Sequence, residues 1–66
     1  LKERSLRILM SETNLNETDA QTLMNEANHD LRVAIVMQKG NVSREMAENS
    51  LAKNSFVVDS AIKSLE

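Results

Sequence analysis

The stretch Asp30-Leu31-Arg32-Val33-Ala34-Ile35-Val36-Met37 is the most continuously apolar run in an otherwise well-solvated chain. Leu31, Ala34 and Ile35 keep helical spacing. Val33, Val36 and Met37 spread apolar surface onto the remaining faces, which a helix accepts only when neighbours cover it on several sides. The stretch therefore predicts a buried central helix with the other segments packed around it. A strand competes, because Val33, Ile35 and Val36 are β-branched, but no other segment offers a period-two partner for it to pair with. The helical periodicity of the rest of the chain decides for helix.

Moving towards the amino terminus, Asp30 is placed to cap the central helix, and Asn28, beside His29, suits the left-handed conformation that closes the preceding one. That preceding helix carries Ala20, Leu23, Met24 and Ala27 at i, i+3, i+4 and i+7, the clearest amphipathic stripe in the chain. Asn16 suits its N-cap, with Asp19 three residues on in the place of a capping-box acid and Leu15 placed to staple onto Ala20. Before the break at Asn14-Leu15-Asn16, a first helix presents Leu6, Leu9 and Met10, with Ile8 at its flank. Towards the carboxy terminus, Lys39 lies in the last turn of the central helix and Gly40 is expected to supply the left-handed residue that ends it. Ser43 then caps a fourth helix presenting Met46, Ala47 and Leu51. Asn54-Ser55 closes it and opens a fifth with Val58, Ala61, Ile62 and Leu65 in register. With no proline and a single glycine, nothing opposes helix. The expected architecture is all-α, a small orthogonal five-helix bundle in one domain over 1–66, with helices at about 1–13, 17–27, 31–39, 44–53 and 56–65.

A weak internal repeat appears when Leu15 is laid over Val42, an offset of 27 residues. It also matches Ala20 with Ala47, Met24 with Leu51, Leu31 with Val58, Ala34 with Ala61 and Ile35 with Ile62. Helix pairs of similar length can align this way without common origin. If real, the repeat makes two helix-turn-helix units that share the Leu31 to Met37 helix as their hub.

A chain of 66 residues can bury only about 60% of the surface it exposes unfolded, and it has neither cysteine nor a Cys/His cluster to supplement that core. Packing against another domain or subunit is the expected supplement. The chain begins at Leu1 and helical patterning starts at once, which suggests a piece of a longer protein. Its net charge of -2 and single aromatic, Phe56, speak against nucleic-acid binding, which needs a basic face and stacking platforms. No run approaches a membrane span, no leader is evident, and the absence of cysteine suits a reducing, cytoplasmic setting. Asn16-Glu17-Thr18 and Asn41-Val42-Ser43 match the glycosylation sequon but fall where helix caps belong.

The inventory of reactive groups is thin. His29 is the sole histidine, with no cysteine or second histidine to share a metal. Glu12, Glu17, Asp19 and Glu26 fall on outer faces or caps, so an acid and base pair is not expected among them. One glycine cannot make a phosphate loop, and no serine has a histidine within its own turn. Met10, Met24, Met37 and Met46 could form an adaptable groove, but most lie on stripes assigned to the core. No catalytic, cofactor-binding or metal-ligating residue is expected. The residues singled out for core and docking are Leu31, Val33, Ala34, Ile35, Val36 and Met37.

Several of these stretches together resemble a known family. The run Arg4 to Met10, Thr13, Ala20 with Leu23 and Ala27, Val33 to Met37, and Gly40 with Ser43, Ala47 and Leu51 is similar to the carboxy-terminal helical domain of bacterial N-acetylmuramic acid 6-phosphate etherases. The chain departs from that pattern at Asn14, Asn28-His29 and Asn54-Ser55, where such domains usually carry glycine. Asparagine is the best substitute at positive φ.

The resemblance implies a parent enzyme with an amino-terminal sugar-isomerase-type domain. It would cleave the D-lactyl ether of N-acetylmuramic acid 6-phosphate to N-acetylglucosamine 6-phosphate and D-lactate during cell-wall recycling, with its catalytic acids outside this chain and no cofactor implied. It also implies a ubiquitin-associated-like three-helix core extended by a C-terminal helix pair. The ubiquitin-binding Met-Gly-aromatic turn is replaced by Thr13-Asn14-Leu15, so ubiquitin is not an expected partner. Two roles follow: a structural tail docked on its own catalytic domain or across a homodimer, or a free-standing ubiquitin-associated-like interaction module. Burial arithmetic adds an expectation that the hub emerges near Val33 and Met37 as an apolar patch, through which isolated chains would self-associate.

Overall fold

The computed structural model describes residues 2–65, and these form five α-helices: α1 (Lys2–Thr13), α2 (Glu17–Glu26), α3 (Leu31–Gly40), α4 (Arg44–Lys53) and α5 (Val58–Ser64). The fold is all-α. The expected start of the first helix at Leu1 lies outside the described residues. α3 packs against each of the other four helices, α1 also packs on α2, and α4 on α5. The first pair meets the last almost entirely through α3.

Side-chain caps explain where α2, α3 and α4 start. The Asn16 side chain accepts a hydrogen bond from the Asp19 N–H, Asp30 accepts from the Arg32 and Val33 N–H groups, and Ser43 accepts from the Met46 N–H. Each satisfies donors that a first helical turn leaves open. α5 begins at Val58, two residues later than the expected start at 56, and its N-cap Val57 offers no side-chain bond. Ser55 and Phe56 both adopt positive φ, 56° and 61°, and so cannot belong to the helix.

Gly40 also departs from expectation. It remains inside α3, and Asn41 takes the left-handed position with φ 54° and ψ 50°. The glycine at position 40 makes room for Leu65 just past α5, since a Cβ there would fall 2.8 Å from the Leu65 Cδ1 atom.

The 27-residue repeat is written into the backbone. Among the described residues six non-glycine positions have positive φ, and they form three pairs at that offset: Asn14 with Asn41, Asn28 with Ser55, and His29 with Phe56. The hydrogen bonds repeat as well. His29 N–H donates to Met24 O at 2.7 Å and Phe56 N–H to Leu51 O at 2.7 Å; Ala34 N–H donates to Asp30 O at 2.9 Å and Ala61 N–H to Val57 O at 2.9 Å. The first unit is α1-α2-α3 and the second α3-α4-α5, with the hub counted in both.

Burial shows how one helix serves both units. α1 buries wholly or partly Leu6, Leu9, Met10 and Thr13, which correspond to Val33, Val36, Met37 and Gly40 of α3. The α5 segment buries Val58, Ala61, Ile62 and Leu65, and the first three correspond to Leu31, Ala34 and Ile35 of α3. α3 carries both sets, which is why only Arg32, Gln38 and Lys39 of its residues are exposed. The ends carry one set each. Arg4 and Arg7 stand exposed on α1, and Ser60, Lys63 and Ser64 on α5, where the hub has apolar residues. Polar outer faces of this kind close a repeat array.

Candidate functional site

Among the residues singled out in the central helix, Val33, Ala34, Ile35 and Val36 lie in the core at 4%, 0%, 8% and 0% exposure, while Leu31 and Met37 are half-buried against it. The expected apolar patch does not open at Val33, because the second unit covers that face. Val36 is equally inaccessible. The rest of the core comes from all the other helices: Leu9, Ala20, Leu23, Met24, Ala27, Ala47, Leu51 and Ala61.

His29 is exposed on a left-handed turn, and Glu17, Asp19 and Glu26 are exposed on α2. Glu12 pairs with Lys39 at 3.1 Å across α1 and α3, with side chains 49% and 38% exposed respectively. Such a pair contributes at most about 1 kcal/mol. Among the described residues no group of three His, Cys, Asp or Glu side chains is placed to hold a metal ion. None of their helices is long and apolar enough to cross a membrane.

The methionines divide. Met24 is in the core and Met10 and Met37 are packed against it, but Met46, expected on the buried stripe of the fourth helix, is 51% exposed. Met46 occupies the third position of α4, equivalent to the exposed Asp19 of α2, and that position faces outward in both units.

Two features escaped the sequence reading. The first is a polar knot between α4 and α5. Ser50, 5% exposed, donates from Oγ to Ala61 O at 2.8 Å and lies 2.9 Å from Ser64 Oγ. Asn54 Nδ2 donates to Ser50 O at 2.7 Å and to Ser64 Oγ at 3.2 Å. The repeat carried the signal, since Ser50 occupies the position of the core residue Leu23. The second is the α4–α5 turn, where Phe56 and Val57 are adjacent, apolar, and 56% and 49% exposed. Among the described residues, Ile8, at 39%, is the other large apolar residue at the surface besides Met46. Buried side-chain N and O atoms among the described residues all have partners.

No family model matches the chain. No solved structure matches it either. Two curated proteins do. The chain is 32% identical over 66 residues, its whole length, to the N-acetylmuramic acid 6-phosphate etherase of Clostridioides difficile (strain 630), covering 22% of that protein. It is 33% identical over 63 residues, 96% of its length, to the N-acetylmuramic acid 6-phosphate etherase of Bacillus subtilis (strain 168), covering 21% of that protein. The chain thus spans about a fifth of the length of the curated relatives it matches, and its similarity is to that part of each etherase.

Proposed function

We propose that this domain is the carboxy-terminal helical part of a lyase that cleaves the D-lactyl ether of N-acetylmuramic acid 6-phosphate, releasing D-lactate and N-acetylglucosamine 6-phosphate. The observation that carries the proposal is 32% identity over the whole chain in one etherase and 33% over 96% of it in another. The domain's own role is structural. It docks on the sugar-isomerase-type catalytic domain or across a homodimer, in a cytoplasmic enzyme of cell-wall recycling, and takes no part in the bond-breaking chemistry. The scatter of exposed carboxylates supports this, because ether cleavage needs an acid and a base converging on one substrate. The turn between α1 and α2, Thr13-Asn14-Leu15, supports leaving ubiquitin out of the partners.

The test is an assay of D-lactate release from N-acetylmuramic acid 6-phosphate, run on the 66-residue chain and on the longer polypeptide that contains it. Turnover by the longer polypeptide and a buffer-level signal from the chain is the expected pattern. A longer polypeptide without turnover would remove the etherase assignment. Turnover by the chain alone would remove the structural role.

A further inference from the structure

The duplicated architecture supplies an internal control for every position, because each unit shows what the other would need if folding were the only demand. At the turn into the third helix of each unit the first reads Asn28-His29-Asp30 and the second Ser55-Phe56-Val57. The backbones agree, with two successive left-handed residues and the same 2.7 Å hydrogen bond from the second of them. The side chains do not.

Phe56 sits at φ 61°, where a bulky residue crowds its Cβ against the following carbonyl. Val57 occupies the N-cap of α5 with no side-chain bond, whereas Asp30 at the equivalent position receives two backbone N–H groups. Both leave apolar surface in water. Three local costs therefore coincide on two residues, while the same chain contains a lower-cost solution one unit earlier. Uncompensated departures of this kind mark sites kept for function. Met46 and Ile8 break no backbone or capping rule and stand as single exposed apolar residues, which are ordinary.

The size of the feature identifies its occupant. Two side chains about half exposed offer on the order of 200 Å² of apolar surface. A stable complex of separate molecules buries about 800 Å² on each partner. The knob is too small to hold a second copy or a free protein, but it can seat a domain whose partner is tethered to it, where effective concentrations reach the millimolar range. Exposed Lys53, Ser55 and Asp59 flank it in the chain as a polar rim.

We propose that Phe56 and Val57 form the knob by which this domain seats in an apolar socket on the other domain of its own polypeptide. The proposal rests on the etherase reading above for the existence of that domain.

The test copies the first unit into the second, as the double substitution Phe56→His and Val57→Asp. In the isolated 66-residue chain this relieves strain and adds a cap, so the melting midpoint should rise by about 4 °C or more. In the longer polypeptide the same change should lower the melting midpoint of the helical domain and speed amide exchange in the α4–α5 turn. Val57→Asp alone, which leaves Phe56 in place, should give the same opposite signs at smaller amplitude. A rise in both settings overturns the docking role, and the etherase reading then still stands if the wild-type polypeptide releases D-lactate. A wild-type polypeptide that releases none overturns that reading and the named occupant with it. Concentration-dependent melting of the isolated chain that the double substitution abolishes would overturn the tethered occupant in favour of a second copy.

Discussion

Gly40 and Leu65 lie in direct apposition: a Cβ added to Gly40 would sit 2.8 Å from Leu65 Cδ1. The glycine closes no turn, because its φ is helical and Asn41 takes the left-handed residue after it. It lets the end of α5 come down onto the last turn of the hub. Gly40→Ala sets two effects against each other, a gain of up to about 1 kcal/mol in helix propensity and the displacement of a half-buried leucine methyl. The methyl is the far end of a flexible side chain, so the net change should stay within about 1 kcal/mol. In a Leu65→Ala background the obstacle is gone, and Gly40→Ala should stabilise by about 0.5–1 kcal/mol. Urea titration of the four proteins measures this, and equal effects in the two backgrounds would show that the apposition carries no energy.

The hub gives the largest single loss. Ile35 is 8% exposed on the α3 face that corresponds to Ile62 of α5. Ile35→Ala should cost about 2–5 kcal/mol. A domain of this length holds roughly 3–10 kcal/mol. The variant should be largely unfolded or melt far below wild type. A cooperative transition within a few degrees of wild type would show that Ile35 is not central to the core.

The polar knot should behave as a unit. Ala61 O accepts from both Ser50 Oγ, at 2.8 Å, and Ser64 Oγ, at 2.9 Å. Ser50→Ala or Ser64→Ala leaves one of these donors in place and should cost about 0.5–1.5 kcal/mol. Removing both strips the carbonyl of its side-chain partners, so the double variant should lose more than the two single losses together. Additivity within about 0.3 kcal/mol would mean the groups act independently.

Five helices, their capping residues and the central place of α3 were legible because stripes at helical spacing and Asn, Asp or Ser before them are local signals. Asn16, Asp30 and Ser43 cap the helices for which their chemistry suited them. What was illegible depended on contacts distant in sequence or on a residue accepting an unfavourable conformation. Gly40 looked like a helix terminator because the reason for it lies at Leu65. The start of α5 was misplaced because Phe56 stands at positive φ, which sequence reasoning does not allow an aromatic residue. Met46 was assigned inward although position 19, its counterpart, is an aspartate. The repeat held the information needed for Ser50 and Met46, and comparing its two copies residue by residue recovers both.

The last prediction tests whether the hub belongs to both units. Cutting the chain after Asn41 keeps α1, α2 and α3 but removes α4 and α5, which pack on α3, and Val33 and Val36 are 4% or less exposed in the complete chain. The fragment 1–41 should therefore expose a contiguous apolar face and self-associate, giving a sedimentation coefficient that rises with concentration. The chain also contains the remedy. On α5 the positions equivalent to Val33 and Val36 are Ser60 and Lys63, both exposed, and they end the array there. Installing them in the fragment as Val33→Ser and Val36→Lys should return it to a monomer, because α4 and α5 no longer cover those positions there. A wild-type fragment that stays monomeric over a hundredfold range of concentration, or a substituted one that associates equally, would mean that the two faces of α3 are not the separable surfaces the burial pattern describes.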